Sequence, residues 1–212
     1  MTHPVFIWDI GRVLLGWDPA RAYAQTRLTS PQLDWWVENG IPMRWIHTLD
    51  EGVSMAEAEA ARIRDFPQEY PERLGDFPDY AELIRTYGRN FTATLDDSLA
   101  ASRVIRDHYR QRGHKTYALT NFSPELWDVA VGVFPWLDQG FDGIVMSGQE
   151  KLAKPDPRFF EILLQRYSVS PATAIFIDDR ADNCETARSL GLTAIQFTSA
   201  AALKDKLGQI LP

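Results

Sequence analysis

A single cysteine, Cys184, stands in a chain of 212 residues, so no internal disulfide can form and a buried core must hold the fold. Long apolar runs are missing too. No stretch approaches the roughly 20 residues that a helix needs to span a bilayer, which argues against a membrane partner of that kind. The first residues lack the charged-then-apolar order of a secretory leader, and with one cysteine the default location is the cytoplasm. Positive charge is in deficit: 22 Lys and Arg stand against 29 Asp and Glu, a formal net charge of −7. That balance argues against nucleic acid or an anionic membrane surface, which are normally met by a basic face. A small anionic substrate fits only where a cation neutralises its site. Internal repeats, low-complexity tracts and heptad runs are absent as well.

What remains is an ordinary globular composition, 45% hydrophobic and 24% charged, long enough for one sizeable core and a smaller module. The apolar run Val5-Phe6-Ile7-Trp8 stops on Asp9-Ile10-Gly11-Arg12, the pattern of a buried parallel strand that delivers an acid to the carboxyl edge of a sheet. From Trp17 to about Asn90 the character changes. This stretch carries four of the seven tryptophans (Trp17, Trp35, Trp36, Trp45) and helical patterns in place of strand runs. Asp18-Pro19 and Ser30-Pro31 look like helix starts, Ser54 to Glu57 is a capping box for a helix to about Asp65, and Asp79 to Tyr87 supports another. Phe66 to Pro78 holds three prolines and is expected to be a loop.

Strand and helix then alternate. The expected order is a helix from Asp97 to Arg112 closed by Gly113, a strand Lys115–Leu119, a helix from Ser123-Pro124, and a strand Gly143–Met146. A helix from Asp156-Pro157 to Tyr167 follows, then a strand Ala174–Ile177, a helix to Leu190, a strand Thr193–Phe197 and a last helix from Ser199. The fold class is therefore α/β, a doubly wound parallel sheet with helices on both faces. A helical insert at 17–90 interrupts this sheet after its first strand, leaving the core at 1–16 and 91–212.

Polar residues sit at several strand ends where packing does not require them: Asp9, Thr120-Asn121, Lys154 before the Asp156 helix, and Asp178-Asp179. Mg²⁺ takes hard oxygen ligands. Asp9 and Asp179 offer carboxylates and Gly11 a backbone carbonyl, while a cation would relieve the repulsion within Asp178-Asp179. Lys154 adds positive charge beside Asp9, and Thr120 and Asn121 offer donors to a phosphoryl group. Asp9 is then the candidate nucleophile, forming an aspartyl-phosphate.

The order Asp9, Thr120-Asn121, Lys154-Pro155-Asp156, Asp178-Asp179 resembles motifs one to four of the haloacid dehalogenase-like hydrolase superfamily. Phe6 to Leu14 and Phe176 to Asn183 are most similar to its branch of sugar-1-phosphate phosphatase-like proteins and epoxide hydrolase phosphatase domains. The resemblance implies a helical cap, Mg²⁺ as cofactor, a small phosphorylated substrate such as a sugar phosphate, Asp9 as nucleophile and Lys154 as its charge partner. It also implies Thr120 and Asn121 as phosphate ligands and Asp179 as metal ligand supported by Asp178.

One departure bears on mechanism. Most phosphatases of the superfamily carry a second Asp two residues after the nucleophile as proton donor, and here that position is Gly11. A good leaving group, a cap donor such as His47, Asp50 or Glu51, or a different reaction would each account for it. The rival reaction is 2-haloacid dehalogenation by the same aspartate, which fits Gly11 but leaves Asp178-Asp179 without a task. A phosphate-binding relative without turnover is the third reading. In the cap, Arg44 beside Trp45 is the candidate clamp for an anionic substrate group. Most of the tryptophans and Cys184 are expected to be packing residues, and His3, His108 and His114 need no function.

Overall fold

The computed structural model describes residues 3–211. Its centre is a parallel sheet of five strands: β1 (Val5–Trp8), β4 (Thr116–Thr120), β5 (Gly143–Met146), β6 (Ala174–Asp178) and β7 (Thr193–Gln196). Across the sheet the order is β5-β4-β1-β6-β7. The numbering runs outward in both directions from β1, so the topological switch point lies at β1, between β4 and β6. Trp8 is in register with Ala118 on one side and Ile177 on the other. The residues after Trp8, Leu119 and Ile177 therefore emerge together at one edge.

Alternation along β1 divides the core in two. Phe6 and Trp8 face a cluster with Ala118, Ile175, Ile177, Leu203 and Leu207, whereas Ile7 faces Tyr117, Leu119, Phe159, Phe160, Leu163 and Phe176. With both faces covered, every residue of β4 and β6 is buried, which is why these strands read as continuous apolar runs.

The insert leaves and re-enters through an antiparallel ribbon of two short strands, β2 (Gly16–Trp17) and β3 (Leu95–Asp96). Between them lie α1 (Ser30–Trp35), α2 (Met43–Asp50), α3 (Met55–Glu69) and α4 (Tyr80–Arg89). Their shared core stacks Trp35 on Phe77 and Phe66 on Tyr80, with ring centroids 5.0 Å apart in each pair. Trp36 is fully buried among them. Trp45 Nε1 donates to the carbonyl of Ala58 at 2.9 Å, so the buried indole is paired. Buried Arg62 donates to the carbonyls of Gly40 (2.8 Å) and Asn39 (2.6 Å) at the end of a π-turn, and to Glu69 (2.9 Å). It thereby satisfies backbone oxygens that no helix partner reaches.

The capping box at Ser54 and Glu57 opens α3. The helix runs four residues past the expected end at Asp65, through Phe66 and Pro67, which corrects the reading of Phe66 onward as loop. Proline has no N–H to give to the turn before it. Phe66 anchors that last turn by full burial, and its carbonyl accepts from the N–H of Tyr70 at 2.9 Å. Asp18-Pro19 opens a 3₁₀ turn, Pro19–Tyr23, with the Asp18 carboxylate accepting from Ala20 N–H at 3.0 Å.

The remaining helices are α5 (Ala100–Gln111), α6 (Pro124–Val133), α7 (Trp136–Gln139), α8 (Ser147–Glu150), α9 (Pro157–Arg166), α10 (Ala181–Ser189) and α11 (Ala200–Ile210). The cap rests on the sheet's carboxyl edge through α2 and the turn after it. Ser147 Oγ donates to the carbonyl of Asp50 and accepts from the Phe122 N–H at 2.9 Å. Gly52 has φ +92° and lies so close that a Cβ there would stand 2.6 Å from the Gly148 carbonyl oxygen, so this contact demands glycine twice over. None of the described helices is long and apolar enough to cross a membrane.

Candidate active site

Asp9 leaves β1 with its N–H bonded to the Ile177 carbonyl at 2.9 Å, which fixes it against the neighbouring strand. The chain then folds tightly around one oxygen: the N–H groups of Val13, Leu14 and Leu15 all point to the carbonyl of Ile10. Arg12 takes the left-handed φ of +61° in this turn and lays its guanidinium 4.9 Å from the Trp17 ring.

Lys154 Nζ lies 2.7 Å from Asp9 Oδ1 and 2.7 Å from Asp178 Oδ2. All three side chains are almost fully enclosed, so the charges sit where Coulomb terms are least screened. Burial pushes the Asp9 carboxyl upward and Lys154 pulls it back, while Asp178 and Asp179 push it up again. Burial alone disfavours the Lys154 ammonium, but Asp178 and Asp9 outweigh it and hold the lysine above its ordinary value. One lysine thus serves two carboxylates, with Asp179 as a third acid nearby. Asp9, Asp178 and Asp179 each place an oxygen within 4.8 Å of the others. Burial, then Asp178, raises the half-exposed Asp179 as well.

The three acids are not equivalent. Asp178 Oδ1 accepts from the Arg180 N–H at 2.8 Å and from Asn183 Nδ2 at 2.9 Å, and its Oδ2 accepts from Lys154 and Asn183. Asp178 thus holds the loop and the lysine with both oxygens, and Asp179 is the freer carboxylate of the two. Asn183 Oδ1, buried beside it, has no hydrogen-bond partner among the described residues.

Asn121 has a task beyond the expected one. Its Oδ1 accepts from the Lys154 N–H at 2.9 Å and its Nδ2 donates to the Lys154 carbonyl at 3.0 Å. This two-way clamp positions Lys154 and uses one of the two Nδ2 hydrogens. Thr120 is different. Its buried Oγ1 has no partner among the described residues, as suits a hydroxyl awaiting a ligand.

Arg44 is not brought to the site. Its side chain is 64% exposed and pairs with Glu69 at 2.9 Å, because it projects from α2 on the side away from the sheet while Ile46, Leu49 and Asp50 face inward. Those inward positions are where the cap meets the chemistry. Asp50 lines the cleft with Gly11 and Asn121, and burial, then the charge of Asp9, pushes its carboxyl up to about 7. His47 and Glu51 line the outer cleft with Arg180, and burial followed by Arg180 lowers His47. Ser147, which joins the Asn121–Phe122 loop to α2, has no sequence signal beyond following a short strand. Cys184 is a buried packing residue, and burial lifts its thiol to about 11.

The fold and the convergence of acids and lysine at a switch point are those of a hydrolase class that the sequence comparison defines. Residues 14–191 match the haloacid dehalogenase-like hydrolases, and the chain belongs to that family. It is 25% identical to the sesquiterpene phosphatase astK of Aspergillus oryzae over 99% of this chain and 97% of that protein. It is 30% identical to a phosphatase of Mycobacterium tuberculosis over 97% of this chain and 92% of that protein. In fold it matches a family enzyme of Bacteroides thetaiotaomicron, solved with magnesium and inorganic phosphate, with a TM-score of 0.65 and 18% identity over 93% of this chain and 96% of that one.

Proposed function

We propose that this hydrolase is a Mg²⁺-dependent phosphatase that cleaves a small phosphorylated metabolite through an aspartyl-phosphate on Asp9, working in the cytoplasm. The core at 1–16 and 91–212 supplies the chemistry, and the cap at 17–90 covers it. The observation that carries this reading is the buried triangle of Asp9, Lys154 and Asp178 with Asp179 beside it. A single lysine does not neutralise three clustered carboxylates, and a phosphate ester would add further negative charge. The donor set fits Mg²⁺, being hard oxygens from Asp9, Asp179 and the Gly11 carbonyl, with Asp178 in support. When bound, the ion would offset phosphoryl charge. The phosphatase names of the two full-length relatives and the magnesium in the Bacteroides enzyme point the same way.

The chain's own residues do the rest. Asp9 attacks phosphorus and the ester oxygen leaves with the electron pair of the broken P–O bond. Lys154 balances charge on Asp9 and the transferring oxygens, and Thr120 donates to the phosphoryl group. The proton absent at Gly11 comes from Asp50. Its carboxyl, raised to about 7, keeps its proton in a large share of molecules at neutrality, whereas burial and Arg180 disfavour the imidazolium of His47. In the second half, Asp50 takes a proton from the water that attacks the phosphoryl group, and Asp9 is released.

The test is phosphate release from p-nitrophenyl phosphate with Mg²⁺ and again with a chelator. Release that the chelator abolishes supports the reading. Inert phosphate esters, together with halide release from 2-chloropropionate in the chelator, would assign dehalogenation by the same aspartate. Tight phosphate binding with neither reaction would leave a binding protein.

A further inference from the structure

Two chambers meet at Asp50 and Asn121. The outer one is polar and holds Lys154, His47, Glu51, Arg158 and Arg180. The inner one is a cleft of about 110 Å³ between cap and core, walled by Trp17, Ile46, Leu49, Phe91, Phe122 and Leu126. Its polar side chains are Asp50 and Asn121 at the junction, together with Ser123 and Tyr87. Asn121 already gives its Oδ1 and one Nδ2 hydrogen to Lys154. Gly11 opens into this space: a Cβ built there would meet no atom within 4 Å.

We propose that this inner cavity seats the alcohol part of the substrate, and that this part is an apolar group of about four or five carbons and not a sugar. The inference rests on the phosphatase reading. An apolar protein cavity of about 150 Å³ takes up benzene, which sets the size. A sugar placed there would give up its water hydrogen bonds and find few replacements among aromatic and aliphatic walls. The missing side chain at Gly11 gains a purpose, because a second aspartate would project a carboxylate into a mainly apolar chamber. Removing it makes room and keeps the chamber apolar, and Asp50 stands at its mouth, where the leaving oxygen would lie.

The decisive experiment compares two phosphates that both release a primary alcohol and differ in its polarity, 3-methylbutyl phosphate and glycerol 3-phosphate, under the same Mg²⁺ concentration. One buried methylene is worth at least about tenfold in discrimination, so kcat/KM is expected to favour the branched alkyl ester by about 100-fold or more. Equal turnover, or preference for glycerol 3-phosphate or glucose 1-phosphate, overturns the proposal. Leu126→Asn, which keeps the branched shape and heavy-atom count while making the side chain polar, is expected to shrink the ratio about tenfold through KM for the alkyl ester. An unchanged ratio in a folded variant counts against the cavity. Should p-nitrophenyl phosphate and every other ester prove inert, the phosphatase reading fails by itself. The cavity is then tested by calorimetric titration with 3-methylbutanol: saturable binding that Leu126→Asn weakens sustains an apolar ligand site, and no binding overturns it.

Discussion

The parallel-sheet core and the helical insert solve different problems with different residues. In the core, chemistry-bearing side chains stand at strand ends and are held by backbone register: Trp8 lies between Ala118 and Ile177, so Asp9 has no choice of neighbour. In the insert, the residues that reach the site are picked out by the rotation of one helix. Along α2, Ile46, Leu49 and Asp50 turn toward the core while Arg44, two residues before Ile46, faces solvent. Register fixes the core site, and packing selects the cap's contribution.

The largest expected effect breaks the core half. Asp9→Asn removes the nucleophile and is expected to lower turnover by at least about 10⁴-fold, with an unchanged circular dichroism spectrum. The neutral amide also relieves the buried acidic cluster, so thermal stability should hold or rise. Near-normal phosphate release from this variant would end the assignment.

That contrast explains what the sequence made legible. The strand runs, the Asp9 turn, the four motifs and the helix starts at Ser54, Asp156 and Ser199 are local patterns, and the structure reproduces them within a few residues. The continuation of α3 through Pro67 depended on the burial of Phe66 against Tyr80, a contact between residues distant in sequence. Likewise, nothing local marks Asn121 as the clamp of Lys154, because the partner lies 33 positions away. Asp50 was one of three cap acids and bases in reach. Burial beside Asp9 separates it from exposed Glu51.

The next effect joins the two halves. Asp50→Asn keeps the size of the side chain and removes its proton, and should cost about 10²-fold in kcat for a poor leaving group. It should cost little in the first release of p-nitrophenolate, which leaves unaided, and slow that substrate only at hydrolysis of the aspartyl-phosphate. The pH profile carries the sign: Asp50 is an acid only while protonated, so wild-type turnover of alkyl esters is expected to fall as pH rises through about 7. Asp9, Lys154, Glu51, His47, Lys151, Asp156, Arg158 and Arg180 are the other charged or titratable groups around that cleft. In the variant the alkaline limb should vanish. An unchanged profile would return the proton to another donor.

A smaller change sharpens the comparison from the core side. Gly11→Asp adds an acid where the space is open and the backbone is not in the left-handed region, so the fold should tolerate it. It is expected to raise hydrolysis of glycerol 3-phosphate several-fold and lower that of 3-methylbutyl phosphate, since the carboxylate enters the apolar chamber. Loss of both activities in a folded variant would show that Gly11 serves backbone geometry at the carbonyl and not space.

The smallest expected effect lies at Arg44, one turn from the working face of α2. Its guanidinium shares Glu69 with buried Arg62 at the same 2.9 Å distance. Arg44→Ala therefore leaves Glu69 paired, and because an exposed ion pair is worth little, stability should stay within about 0.5 kcal/mol of wild type. Turnover and KM should be unchanged. Arg62→Ala is the contrasting case, since it orphans the carbonyls of Asn39 and Gly40 inside the cap and should lower the melting temperature measurably. If Arg44→Ala instead raised KM for phosphate esters severalfold, α2 would have to turn its other face to the substrate during turnover, and the division between a register-fixed core site and a packing-fixed cap face would not survive.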